Sequence, residues 1–175
     1  MQTANYKMSE LLQIVKDKLE AKFGDALLSA ELLYDFPVFI LKNEIVKDAL
    51  IFLKEDTDLN FHFLTTMCGL HQPDETEDKE FGLMYQLHNM PKNYRIRIKT
   101  FMLKSDLNMP TISDIYPTAG WMERQEYDFF GFNFIGHKNL SRILNMDEMN
   151  YFPMRKEYPL EDLGRNDKSD KMFGR

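Results

Sequence analysis

The sequence predicts an α+β fold: helices packed on one mixed or antiparallel sheet, followed by an extended irregular C-terminal tail. Three observations predict it. Two early segments carry apolar residues at helical spacing, residues 81 to 99 alternate with period two across a short turn, and the chain loses any sustained period after Gly131.

From residue 6 to 23, Met8, Leu11, Leu12, Val15, Leu19 and Phe23 follow helical spacing, and Gly24 stands as a C-terminal stop. "AELLYDFPVFILKN" reads as two short strands around an Asp35-Phe36-Pro37 turn. Asn43 is placed to cap a second helix whose Ile45, Val46, Ala49, Leu50 and Leu53 form one stripe. In "LNFHFLTTM", Leu59, Phe61 and Phe63 share a face at strand period, and the acidic run "PDETEDKE" then reads as a solvated connection.

The clearest signal is a hairpin. Phe81, Leu83, Tyr85 and Leu87 alternate with Gly82, Met84, Gln86 and His88, and beyond the turn "MPKN" Tyr94, Ile96 and Ile98 alternate with Arg95, Arg97 and Lys99. One face is core; the basic trio belongs to the wet face. Thr111 with Asp114 has capping-box spacing, Pro117 interrupts, and a last helix is expected over Ala119–Phe130 with Gly131 as its stop. Within it Arg124 and Asp128 are four apart and are expected to pair, Glu123 and Tyr127 share another line, and Glu126 has no evident partner.

Composition bounds the function. A chain of 175 residues, 43% hydrophobic with net charge -6, supports one core, and its acidity argues against binding nucleic acid. Residues 118 to 175 hold nine basic and ten acidic side chains, a balance suited to burial against a partner. One cysteine, Cys68, excludes an internal disulfide framework and any cluster needing several thiolates from this chain, and fits a reducing compartment; Cys68 with His71 makes half a metal site at most. No segment has the roughly 18 apolar residues of a membrane span, so a cytoplasmic chain is expected, attached to a membrane only through a partner. The division expected is a core over residues 1 to 135 and a docking tail over 136 to 175, whose scattered aromatics and methionines need a surface to lie on.

The stretch "ERQEYDFFGFNFIGHKNL" is the densest in chemistry. As an acid-base hydrolase, Glu123, Glu126, Asp128 and His137 would have to converge on one pocket, which helical geometry disfavours because Asp128 lies about 160° around the helix from Glu126. His137 lacks a second ligand at metal spacing and reads as a hydrogen-bonded structural residue; Gly131 and Gly136 read as turn positions. Arg142, Arg155 and Lys156 suit carboxylates on a partner, in a segment stiffened by Pro153 and Pro159.

These residues carry a resemblance. Ala119 and Trp121, Glu123-Arg124, Tyr127-Asp128, Phe130-Gly131, Phe134, Gly136-His137, Leu140, Arg142-Ile143-Leu144 and "PMRKEYPL" from Pro153 through Tyr158 to Leu160 match one family motif, ungapped over about forty residues. The family that the chain resembles is the 30-kilodalton subunit, or C-type subunit, of the proton-pumping respiratory NADH:quinone oxidoreductase, complex I. Gln125, Lys138, Ser141 and "NMDEMNYF" depart from the family pattern. The resemblance implies a non-catalytic, cofactor-free member of the hydrophilic arm at the cytoplasmic face of the inner membrane. It would be packed against the large quinone-site subunit (D type) and the cluster-bearing subunit (B type), with FMN and iron–sulfur clusters bound in partner subunits. It implies partner docking or structural roles for Trp121, Glu123, Arg124, Tyr127, Asp128, Gly131, Gly136, His137, Arg142, Pro153, Arg155, Lys156, Tyr158 and Pro159. The equivalent subunit of a ferredoxin-fed dehydrogenase or a membrane-bound hydrogenase is the alternative.

Overall fold

The structure, a computed structural model, describes residues 2 to 158, with side chains from residue 8. Its order is α1 (Gln2–Phe23), β1 (Leu27–Leu33), β2 (Phe36–Leu41), α2 (Val46–Glu55), β3 (Phe63–His71), β4 (Phe81–Asn89), β5 (Tyr94–Met102), β6 (Asn108–Pro110), α3 (Ala119–Phe130) and β7 (Asn133–Ile135). Five strands form a mixed sheet in the order β1-β2-β5-β4-β3. The β2–β5 pair is parallel and the other pairs antiparallel, and β6 and β7 pair in parallel apart from it. The expected α+β fold is borne out.

Register puts one row of side chains on a single face: Phe39 lies opposite Ile98, Ile98 opposite Tyr85, and Tyr85 opposite Met67. Leu11, Val15 and Leu19 of α1, Val46, Ala49, Leu50 and Leu53 of α2, and Ala119 and Phe130 of α3 close over that face into one core. Burying so many complete side chains, at roughly 1.5–3 kcal/mol each, holds the helices to the sheet. The adjacent row on the other face, Ile40, Lys99, Met84 and Cys68, is half-buried.

Four local expectations are corrected. The first hairpin turns at Tyr34 and Asp35, both at positive φ (50° and 64°), while Phe36 and Pro37 already belong to β2; paired positive φ values match the twist of the flanking strands. Asn43 opens a short 3-10 turn without a side-chain cap, and the helix starts only at Val46. Leu59 and Phe61 are buried but precede the strand, which begins at an exposed Phe63; a register shift between Leu64 and Thr66 then brings Leu64 and Met67 into the core. The segment carrying Leu59 and Phe61 is held instead by hydrogen bonds, from Asn89 Nδ2 to Leu59 O (2.6 Å) and from Tyr116 Oη to Phe61 O (2.7 Å). No capping box forms at Thr111: its backbone N–H joins Ile135 O (2.9 Å), and Asp114 pairs with Lys47 (2.8 Å). Helix α3 begins at Ala119, past Pro117.

Residues 136 to 158 form neither helix nor strand. For part of its length the surface under this strap is the chain's own, the exposed end of α3 and the end of the sheet.

Candidate functional site: the carboxylates of α3 and the returning strap

Helix α3 carries three carboxylates, Glu123, Glu126 and Asp128, all essentially excluded from solvent. Buried carboxylates persist only where donors meet them, and each has its own set. Thr111 Oγ1 donates to Glu123 Oε2 (2.6 Å) and the Ile112 N–H to Oε1 (2.7 Å), so Glu123 fixes the turn leading into the helix. Burial pushes its carboxyl above the ordinary range, opposed by these two donors.

Glu126 faces the sheet. The Gly69 N–H donates to its Oε2 at 2.6 Å, and Gln125 Nε2 reaches Oε1 at a long 3.4 Å. A Cβ on Gly69 would stand 2.7 Å from that oxygen and 2.6 Å from the Phe130 ring, so only glycine lets α3 seat on β3 here. With no basic side chain at ion-pair distance among the described residues, burial pushes the Glu126 carboxyl up to about 7.

Asp128 faces the strap. Its Oδ1 accepts from Arg142 Nη1 (2.7 Å) and Asn145 Nδ2 (3.0 Å), and its Oδ2 from the backbone N–H groups of Ile143 (3.1 Å), Leu144 (2.8 Å) and Asn145 (3.0 Å). Burial alone would raise its pKa, but the donors together outweigh it and hold the carboxyl well below the usual range. This corrects the Arg124–Asp128 pair expected from i,i+4 spacing. Arg124 instead donates to Ser141 O, Ser141 Oγ and Arg142 O, each at 3.0 Å, and lies over the Trp121 ring. The spacing rule describes exposed helix faces, and this face is covered. The absent partner of Glu126 is likewise corrected, since it is the backbone of Gly69.

The strap also completes the end of α3. A helix leaves its last four carbonyls without intrahelical donors. Here Tyr127 O accepts from Gly131 N (2.9 Å), Asp128 O from Arg142 Nη1 (3.0 Å), Phe129 O from Met154 N (3.2 Å) and Phe130 O from Arg155 Nε (2.7 Å). Gly131, at φ 82°, turns the chain away, and a Cβ there would collide with Phe152 and Arg155. Arg142 and Arg155 stack over Phe152 at 5.2 and 4.6 Å, and Tyr127 meets the same ring edge-on. Two guanidinium groups at a helix C-terminus are favourably placed against its dipole. Arg142 and Arg155, expected to meet a partner's carboxylates, are here engaged within the chain, by its backbone carbonyls and by the carboxylates of Asp128 (2.7 Å) and Glu157 (3.6 Å) respectively; the Lys156 side chain stays exposed, while its N–H donates to His71 Nδ1 (2.8 Å). That bond fixes His71 as the tautomer whose Nε2–H faces Glu80 (3.0 Å), beneath the stacked Phe81 ring.

His137 donates from Nε2 to Gly120 O (2.9 Å) and accepts from Asn139 N (3.1 Å), with Glu123 at 3.9 Å. Gly136 turns at φ 86°. Pro153 lies in the turn closed by Arg155 N to Phe152 O, and Tyr158 packs near Tyr151; Pro159 lies outside the described residues. Glu126 and Asp128 address opposite surroundings and do not join Glu123 and His137, so the four groups do not converge. Sequence reasoning missed Gly69, Ser141 and Asn145; a glycine inside a strand pattern was the one signal that could have found any of them.

Half of the exposed large hydrophobic residues described lie around this site, the others being spread over α1, the sheet and its turns. Those around the site are Trp121, Ile135, Leu144, Met146, Tyr151 and Met154, all on α3, β7 or the strap.

The family model described as "Respiratory-chain NADH dehydrogenase, 30 Kd subunit" matches residues 39–163. The chain belongs to that family. The C-type subunit of NADH-quinone oxidoreductase from Bartonella henselae is 35% identical over 155 residues, 87% of this chain and 74% of that one. Its counterpart from a Nocardioides species is 40% identical over 122 residues, 70% of this chain, which spans only about half (48%) of that relative's length. In Acinetobacter baylyi the match, 34% over 149 residues and 82% of this chain, falls on 25% of an NADH-quinone oxidoreductase protein whose name joins the C and D types. Among solved structures, a chain of the membrane-bound sulfane sulfur reductase, an archaeal respiratory membrane complex, aligns with TM-score 0.69 and 28% identity over 85% of both chains. The trypsin-resistant fragment (1-134) of Nqo5 aligns with TM-score 0.62 and 24% identity, covering 72% of this chain and 98% of the fragment, a likeness of fold.

Proposed function

We propose that this chain is a non-catalytic structural subunit of the hydrophilic arm of an NADH:quinone oxidoreductase. It holds the quinone-site and cluster-bearing subunits in register while electrons pass from NADH to quinone. The observation that carries this reading is the use made of the family motif. Its carboxylates and arginines are bonded to the chain's own backbone, and its large apolar residues are left facing outward beside them. An arrangement of this kind shapes a surface, and placement matters because small displacements of reacting groups are costly in rate.

The partners are a D-type and a B-type subunit. The Acinetobacter relative, which carries C and D in one name and aligns over a quarter of its length, supports contact with the former. FMN and iron–sulfur clusters belong to partner subunits on this reading. Among the described residues no helix is long and apolar enough to cross a membrane, which suits a peripheral arm at the cytoplasmic face of the inner membrane. The motif residues from Trp121 to Tyr158 act as the docking platform, with the exposed Lys156 and the apolar rim as direct contacts.

The likeness to a chain of the sulfane sulfur reductase complex favours a second reading, the equivalent place in a sister respiratory assembly. Recovering the tagged chain from its own cells in mild detergent tests both. Co-recovery of D-type and B-type subunits with an NADH-binding flavoprotein supports the first reading. A hydrogenase-like or sulfur-reductase-like large subunit without the flavoprotein supports the second, and recovery of the chain alone overturns both.

A further inference from the structure

A groove of about 630 Å³ opens where α3 begins, between the turn leading into the helix and the residues that follow β7. Its lining includes Lys47, Arg124 and Lys138 against a single carboxylate, Asp114, and Trp121 and Ile135 stand beside them. In a chain of net charge -6, a basic groove is a local reversal of sign. Asp114 is engaged by Lys47 at 2.8 Å, whereas Arg124 has no carboxylate within ion-pair distance among the described residues. Trp121 is 68% exposed and Ile135 61%, and the Arg124 guanidinium lies 5.3 Å from the Trp121 ring centre.

The walls are fixed from behind. Lys47 Nζ also donates to Thr111 O (2.8 Å), Glu123 holds Thr111 and Ile112, His137 is tied to Gly120 O, and three bonds to the strap orient Arg124. Little ordering is left for a ligand to impose, and pre-organisation of this kind raises affinity by lowering that cost.

We propose that this groove is a docking site for an acidic segment of a partner protein, one that presents an Asp or Glu to Arg124 and Lys138 and lays an adjacent apolar side chain against Trp121 and Ile135. Charge complementarity selects the occupant. A guanidinium held on one edge offers its remaining N–H groups to a carboxylate, and a Trp and Arg side by side have the composition of residues that dominate interface energies. A second copy of this acidic chain is disfavoured by net repulsion. The inference rests on the functional reading above and adds the chemistry of one contact.

The test places a photo-crosslinking amino acid at position 121 in the full chain, expressed in its own cells, and sequences the peptides captured after complex recovery. The expected capture is a partner peptide with an Asp or Glu within three residues of the crosslink. Lys138→Glu should lower the yield about fivefold or more, and Lys138→Arg should keep it. Neither should move the melting temperature of the isolated chain, since Lys138 is exposed. Capture of peptides without acidic residues, absence of capture while the partner subunits still co-purify, or a yield indifferent to Lys138→Glu overturns the inference and leaves the functional reading standing. Failure of the unsubstituted chain to co-purify with any partner overturns that reading itself, and the inference with it. Trp121 is the sole tryptophan, so its fluorescence in the isolated chain reports the groove directly. Saturation by millimolar inorganic phosphate would mark a small-anion site and overturn the proposal; a flat titration supports it.

Discussion

In the sheet and its helices, side chains reach the core by period: every second residue of β4 and β5, and Leu11, Val15 and Leu19 at helical spacing in α1. In the strap, among described residues, Leu140 is the one hydrophobic side chain packed against that core, and Arg155 lies over the Phe81 ring at its edge. The strap is ordered instead by a few polar anchors, Asp128 above all, which gathers three consecutive N–H groups and two side chains from residues 142 to 145. The difference teaches that the first region spreads its stability over many replaceable contacts, while the second concentrates it in single residues. Two carboxylates two positions apart on α3 mark the boundary: Glu126 turned toward the sheet with a single close donor, Asp128 toward the strap with five.

The comparison breaks most severely if the strap is removed. A chain ending at Lys138 would strip Asp128 of all five of its donors and open it, with three helix-end carbonyls and the apolar surface under the strap, to water. Its thermal midpoint should fall by about 10 °C or more. A midpoint unchanged within error would mean that the tail folds only on its partner. Asp128→Ala should come next, costing about 3–5 kcal/mol in urea unfolding, because Arg142 and three N–H groups lose their acceptor together.

Acidity separates the two carboxylates by sign. Glu126 has a folded-state pKa raised to about 7 from 4.5, so its contribution to stability is fully present below the unfolded value and is lost as pH rises through about 7. Glu126→Gln should therefore stabilise the chain by about 1–3 kcal/mol at pH 8 and change little at pH 4. Asp128 is depressed, so its contribution is present above its unfolded value and is lost as pH falls toward its folded one. The cost of Asp128→Ala should shrink below about pH 4. Parallel pH profiles for the two variants would contradict the assignment. The smallest effect expected is from Arg142→Lys, about 1–2 kcal/mol, since an ammonium can keep the charge beside Asp128 but cannot also span to Asp128 O, Met149 O and Tyr151 O.

Much of this was legible where period carries information. The hairpin of β4 and β5, the stripe of α2 and the span of α3 to Gly131 follow from apolar spacing and one stop residue. The partners of Arg124, Glu126 and Asp128 were not, because pairing rules count along one helix, and these groups bond to chain 57 positions upstream of Glu126 and 14 to 18 positions downstream of the other two. A backbone N–H has no letter in the sequence, so a carboxylate satisfied by Gly69 or Leu144 looks unpartnered until the chain is folded. Thr111 shows the same limit: its spacing to Asp114 suggested a cap, and its hydroxyl is held by Glu123 instead.

That the strap supplies donors to three of the last four carbonyls of α3 has a consequence in time. Those acceptors do not exist as a set until the final turn of the helix has formed, so the strap has nothing to close on while α3 is nascent. Closure must follow the helix, and one turn of fraying at Phe130 releases Arg142, Met154 and Arg155 at once. The amide hydrogens of Leu144, Asn145 and Met154 should then exchange at one common rate with that of Gly131, opening and closing as a single cooperative unit. Binding of a partner to the closed strap should slow every exchange in the set together.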